Sequence, residues 1–130
     1  MKEHLHDSAY ADELLRLAEA DLDSAKKLLA AKARTENACF FAEQCVEKSI
    51  KVVLIKQQIP FGYLHDLGYL LGKLPAEKWP PDGKKIMGLE LYAAQRRYEE
   101  GPYPATEEEA EESIQIATRS FQWAKQFTKS

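Results

Sequence analysis

The sequence contains few of the residues that support disulfides, metal sites or membrane insertion. Its 130 residues include only two cysteines and three histidines, and no apolar run approaches the length of a membrane span or forms a signal peptide at the start. Cys39 and Cys45 lie six residues apart in a predicted helix, on different faces and too far apart to bridge. We therefore expect reduced thiols and a cytoplasmic protein that does not contact the membrane.

The sequence also lacks an excess of charge of either sign. It has 18 Lys and Arg against 21 Asp and Glu, a formal net charge of −3. Long-range attraction therefore cannot hold the protein on nucleic acid, and any such contact must be local. With 45% hydrophobic residues in a chain of this length, we expect a single domain over residues 1–130 with its core at about 8–127.

Apolar residues at helical spacing are abundant, and no alternating strand pattern competes with them. Asp7 or Ser8 can cap a first helix, and Thr106 with Glu109 forms a capping box for a last one. The fold class predicted is all-α, an up-and-down antiparallel bundle of three long and two shorter helices. The helices are predicted at residues 8–32, 35–58, 66–73, 84–97 and 106–127.

Known catalytic and metal-binding patterns are scarce in the sequence. No two histidines have the helical spacing with a glutamate that a zinc hydrolase requires. We expect His4 and His6 to be solvated near a frayed terminus, and the acidic run at 107–112 to be a solvated helix start that gains from the helix dipole. No metal ion or cofactor is predicted.

Three cations stand where the apolar stripes of two helices would meet the bundle rim. Lys48 lies on the stripe of the second helix, and Arg96 and Arg97 end the stripe of the fourth, beside Tyr98. These cations either pair with nearby carboxylates, or they form an anion pocket in which guanidinium groups hold phosphate and Tyr98 stacks on a base. The carboxylates in reach are Glu43, Glu47, Glu99 and Glu100.

His65 and Asp66 stand at the start of the third helix. Asp66 can cap that helix, and the His65 imidazole can either hydrogen-bond to a neighbouring helix or contact a ligand. Both roles for His65 remain open at the level of sequence.

The order of these segments resembles the HEPN domain family over roughly residues 10–127. Residues 18–25 are similar to its Ala-x-x-Asp-Leu-x-x-Ala helix, and residues 39–51 to its segment aromatic-Ala-x-Gln-x-x-Glu-Lys-x-x-Lys. His65-Asp66-Leu67, then Arg97-Tyr98, then a last helix ending in aromatics such as Trp123 follow in the family's order.

The resemblance implies a homodimer with a cleft between protomers, often encoded beside a minimal nucleotidyltransferase as a toxin-antitoxin-like pair. It also implies that many members are metal-independent ribonucleases in which a histidine follows an arginine after four to six residues. No histidine follows Arg96 or Arg97 here. Because no imidazole is at hand there to move a proton near neutral pH, we do not carry the ribonuclease activity over.

The leading hypothesis is a non-catalytic HEPN-type domain, a homodimer that binds a partner nucleotidyltransferase and whose cationic cleft holds a nucleotide, RNA or the substrate of that partner. Its expected binding residues are Arg96, Arg97, Lys48, Lys51, Tyr98 and His65. One alternative is a ribonuclease toxin with a degenerate site, although Tyr103 is then the nearby proton carrier and, with an ordinary pKa of ~10, a poor base. Another is a purely structural helical adaptor whose apolar partner surface carries Phe121, Trp123 or Phe127.

Overall fold

A computed structural model of the chain describes residues 2–87 and 105–129. Over these residues the protein is all-α, and the predicted fold class is confirmed. The helices are α1 (Ser8–Ala30), α2 (Thr35–Lys56), α3 (Leu67–Gly72), a helical segment α4 at 83–87, and α5 (Glu107–Gln126). A single 3-10 turn, Ala76–Lys78, follows α3. None of the described helices is long and apolar enough to cross a membrane.

Helix α1 is amphipathic because its apolar residues recur every three or four positions. The Asp7 carboxylate caps it by accepting a hydrogen bond from the Ala9 N–H at 2.9 Å. The chain leaves the helix at Lys32, whose φ of 57° is left-handed, and the break predicted before Thr35 is confirmed. The buried residues of α1 form one stripe, made of Ala11, Leu14, Ala18, Leu22 and Ala25.

Helix α2 is the central element of the bundle, because it packs against α1, α5 and α3. Its second half is buried on nearly every side, including the polar residues Glu47, Ser49 and Lys51. Buried polar groups must find partners inside the protein. Glu47 and Lys51 meet this requirement by pairing with each other.

The residues before α1 are docked, which corrects the expectation of a frayed terminus. The N–H of His4 donates to the Phe61 carbonyl at 3.0 Å, and the N–H of Phe61 donates to the His4 carbonyl at 3.1 Å. The Tyr69 hydroxyl donates to the Glu3 carboxylate, and Lys73 Nζ donates to it at 2.8 Å. Residues 3–6, here called the N-terminal arm, therefore hold the loop between α2 and α3 in place.

Helix α5 begins with the predicted capping box, since the Glu109 N–H donates to Thr106 Oγ1 at 3.1 Å and the Thr106 N–H donates to Glu109. Its aromatics do not form the exposed surface of the adaptor hypothesis, which is wrong on this point. Phe121 and Trp123 are 7% and 9% exposed, and Phe127 packs against the same core. Because α5 lies against α2 and α1, these rings fill the core.

Residues between α3 and α4 are held by two specific contacts. Trp79 Nε1 donates to the Leu74 carbonyl at 3.1 Å, and its ring lies so close to Gly83 that a Cβ there would come within 2.6 Å of it. Arg119 on α5 donates two hydrogen bonds to the Asp82 carboxylate, at 2.7 and 3.1 Å. These contacts fix the start of α4 against the bundle.

Candidate functional site

Two residues of opposite charge are buried one turn apart on α2. Lys51 Nζ lies 3.2 Å from Glu47 Oε2, and the two side chains are 9% and 7% exposed. An ion buried to this degree is tolerated only when it is paired and hydrogen-bonded. Each of the two residues is therefore held in place by the other.

The imidazole of His65 completes this group, which we call the Glu47 cluster (Glu47, Lys51 and His65). His65 Nδ1 lies 3.0 Å from Glu47 Oε2 and 3.3 Å from Lys51 Nζ, while the His65 side chain remains 69% exposed. Asp66 caps α3 as predicted, by accepting the Tyr69 N–H at 2.9 Å, and His65 hydrogen-bonds to a neighbouring helix, which is one of the two roles predicted for it. The cluster thus has a buried side and a side facing water.

The chemistry of the cluster depends on which ring nitrogen of His65 carries the proton. If Nδ1–H donates to Glu47, the other nitrogen, Nε2, is an acceptor; if Lys51 donates to Nδ1, Nε2–H is a donor. Within residues 2–87 and 105–129 nothing hydrogen-bonds to Nε2. The exposed edge of the ring can therefore donate to an anion or accept a proton.

The predicted binding residues separate into three groups. Lys51 and His65 are brought together, although 14 residues separate them in sequence. Lys48 instead faces α1, where its Nζ lies 2.5 Å from Asp21 Oδ2 with both side chains about four-fifths buried. Arg96, Arg97, Tyr98 and also Tyr103 lie outside the described residues.

Two outcomes differ from what the sequence indicated about carboxylates. The partner of Lys48 is Asp21, which was not among the carboxylates expected, and Glu47 belongs to the site instead of neutralising Lys48. A signal for Glu47 was present, because it stands four residues before Lys51, the spacing at which helical side chains meet. Asp21 comes from another helix and carries no such local signal.

Among the described residues, neither a group of metal ligands nor the buried Cys45 thiol adds chemistry to the site. In the described part of the chain no three His, Cys, Asp or Glu residues are grouped as metal ligands would be. Burial raises the pKa of the Cys45 thiol from 9.0 to about 12, so the thiolate needed for nucleophilic attack is not formed near neutral pH. The Cys45 thiol packs in the core, with its Sγ 3.7 Å from the Ala117 carbonyl oxygen.

Aromatic and imidazole rings gather where the N-terminal arm meets the loop before His65. The His6 ring lies 4.4 Å from Phe61 and 5.5 Å from Tyr10, and the Tyr63 ring lies 6.0 Å from His4. His6 is half-buried against Phe61, which corrects the expectation that it is solvated, whereas Tyr63 is 78% exposed. We call His4, His6, Tyr10, Phe61 and Tyr63 the arm ring cluster.

A shallow groove of about 500 Å³ lies between the end of α1 and the start of α5. Its walls carry Lys26 and Lys32 on one side and Glu107 and Glu111 on the other. These charges cancel, and none of the residues that line the groove is a buried polar group. We therefore take the Glu47 cluster as the candidate site.

Comparison with known proteins places this chain in a family. The crystal structure of ST0689, an archaeal HEPN homologue, is 30% identical and covers 92% of this chain and 98% of its own, with a TM-score of 0.71. The crystal structure of TT1696 from Thermus thermophilus is 26% identical and covers 90% of this chain and 97% of its own, with a TM-score of 0.72. A comparison with curated proteins found no match. The sequence profile of the HEPN domain matches residues 11–127, and the chain belongs to the HEPN domain family.

Proposed function

We propose that this protein is a non-catalytic HEPN domain that binds a nucleotide or another ligand bearing phosphate. The observation that supports this function is the exposed His65 imidazole, held by a buried ion pair with one ring nitrogen open to solvent. A group fixed in this way loses little freedom when a ligand arrives, which favours binding. The proposed site combines His65 and Lys51 with Arg96, Arg97 and Tyr98.

Lys48 is better assigned to the fold than to this site. Its ammonium is already paired with Asp21 across the interface between α1 and α2. Moving it to a ligand would leave the Asp21 carboxylate, 18% exposed, without its partner. The proposed anion contacts are therefore His65 and the two arginines, and Lys51 contributes by pairing with the Glu47 carboxylate that positions His65.

Calorimetric titration with ATP, GTP and inorganic tripolyphosphate tests the binding. We expect saturable binding to the wild-type protein, weakened at least ~10-fold in His65→Ala and in the double variant Arg96→Ala/Arg97→Ala, since each removes a charge-assisted contact. Lys27→Ala is the matched control, because Lys27 is 77% exposed on α1 in a surface pair with Asp23. Absence of saturable binding, or His65→Ala binding like the wild type, contradicts the proposal.

We further propose that the protein acts as a homodimer and as the companion of a minimal nucleotidyltransferase in a toxin-antitoxin-like pair. Family membership supports this role, and the phosphate-binding site fits a partner whose substrate is a nucleotide. Coexpression with the product of an adjacent nucleotidyltransferase gene, followed by size-exclusion chromatography, should give one stable complex. Separate elution of the two proteins at micromolar concentration would contradict the proposed pairing. It would not bear on the proposed phosphate-binding site.

The ribonuclease alternative has one specific observation in its favour. A buried carboxylate, Glu47, lies 3.0 Å from the imidazole of His65, an arrangement in which a histidine can act as general base. His65 thus supplies an imidazole that the sequence after Arg97 lacks. RNA cleavage by the purified protein, lost in both His65→Ala and Glu47→Gln, would replace the non-catalytic proposal with this one.

A further inference from the structure

We infer that the exposed ring of Tyr63 is the stacking surface for the base of a nucleotide whose phosphate is held at the Glu47 cluster. This inference rests on the proposed function and adds the recognition of the base. Tyr63 is 78% exposed, and among the described residues the rings paired with it are those of His4 and His6, tilted by 52° and 84° at 6.0 and 6.5 Å between centroids. At this exposure most of Tyr63 is accessible to a ligand.

Tyr63 lies close along the chain to the candidate phosphate contact, His65. It lies two residues before His65, so the two Cα atoms are at most ~7 Å apart in any conformation. A single nucleotide spans a comparable distance from its phosphate to its base. One ligand can therefore reach the His65 imidazole and the Tyr63 ring together.

The loop that carries both residues is held rigidly at its start. The Phe61 backbone is paired with His4 through two hydrogen bonds, and the Gly62 N–H donates to the Tyr69 hydroxyl at 3.1 Å. That hydroxyl donates in turn to Glu3, so arm, loop and α3 are linked in one network. Because these contacts anchor the loop directly before Tyr63, we expect stacking on Tyr63 to carry little ordering cost.

The polar groups near the Tyr63 ring are suited to a base and its phosphate, although Leu64 beside it is also exposed. The rings that flank it are imidazoles, and the next polar group along the loop is the His65 imidazole paired with Glu47 and Lys51. A ligand that matches this surface must present a flat aromatic face and an anion within a short distance of each other. A nucleotide has both, and every base offers a π face to stack.

Comparing ATP with inorganic tripolyphosphate separates the base contact from the phosphate contact. We expect Tyr63→Ala to weaken ATP binding by roughly 10-fold or more, as the loss of one base stack implies, and to leave tripolyphosphate binding unchanged. Tyr63→Phe keeps the ring and should bind ATP like the wild type. Phe40→Ala is the matched control, because Phe40 is another half-exposed ring, on α2, and pairs with Phe41.

Each other outcome has a definite meaning. If Tyr63→Ala binds ATP like the wild type, or loses ATP and tripolyphosphate equally, the stacking inference is wrong while the phosphate site stands. If the wild-type protein binds neither ligand, both the proposed function and the stacking inference are wrong. Thermal unfolding of each variant confirms that the exposed side chain was removed from a folded protein.

Discussion

The Ser120 hydroxyl lies on α5 with no exposed surface, and no described residue hydrogen-bonds to it. Burying such a group without a partner costs about 1–3 kcal/mol. We expect Ser120→Ala to raise the free energy of unfolding by about 1 kcal/mol in urea denaturation. Ser49→Ala is the control, because the equally buried Ser49 hydroxyl donates to the Cys45 carbonyl at 2.7 Å and its loss should not stabilise. A less stable Ser120→Ala variant would show that the hydroxyl is satisfied.

The two cysteines should differ in reactivity, because Cys45 is buried with a pKa of about 12 and Cys39 is only half-buried. Each thiol can be followed alone in the variant that lacks the other. At pH 8 we expect iodoacetamide to modify Cys45 in folded Cys39→Ser far more slowly than Cys39 in folded Cys45→Ser, as followed by mass spectrometry. In urea the two variants should react alike. The pKa of Cys45 is raised in the folded protein. The contribution of its neutral thiol to the free energy of unfolding is therefore complete below about pH 9 and is lost as pH rises toward 12. Equal native rates would contradict the burial.

At the scale of elements, one ion pair joins α1 to α2. Lys48→Met leaves the largely buried Asp21 carboxylate unpaired, so we expect a loss of about 1–3 kcal/mol in the free energy of unfolding. The double variant Asp21→Asn/Lys48→Met should recover part of that loss in a double-mutant cycle. Lys27→Met, in a surface pair with Asp23, should change stability by less than about 0.5 kcal/mol. Additive effects at positions 21 and 48 would mean that the pair is not coupled.

The N-terminal arm should be sensitive to acid. Hydrogen bonds from Lys73 and Tyr69 lower the pKa of the Glu3 carboxyl below its usual 4.5. The contribution of this contact is therefore present above pH 4.5 and lost as pH falls through the lower, folded value. We expect the NMR signal of the Phe61 amide to shift toward an undocked position in that range, and Glu3→Gln to remove the transition. A Phe61 signal that shifts with pH in the same way in the wild type and in Glu3→Gln would show that Glu3 does not hold the arm.

At the scale of the whole molecule, a chain with net charge −3 must concentrate its cations to hold an anion. The proposed two-fold dimer would do this by bringing two copies of the proposed anion site into one molecule. We therefore expect sedimentation equilibrium at tens of micromolar to give twice the 14.8 kDa mass of one chain. A mass of one chain throughout a dilution series would contradict the proposed dimer.

Much of the fold could be predicted because its causes are local. The stripe through Leu14 and Leu22, the cap at Asp7 and the box of Thr106 with Glu109 each act within a turn or two of helix. The same holds for Asp66, whose capping of α3 follows from its position before Leu67. The predictions of a frayed N-terminus and of an exposed aromatic face on α5 were wrong. Docking of the N-terminal arm and packing of α5 depend on surfaces that are distant in sequence.

The sequence by itself determined the helices, their caps and the family, because periodicity and motif order depend only on the order of residues along the chain. Only the tertiary structure decided which charges meet. Lys48 and Lys51 stand three residues apart on α2, yet one pairs with Asp21 on α1 and the other with Glu47 and His65. A buried charge takes the partner that packing brings to it, and that partner is set by how the helices cross.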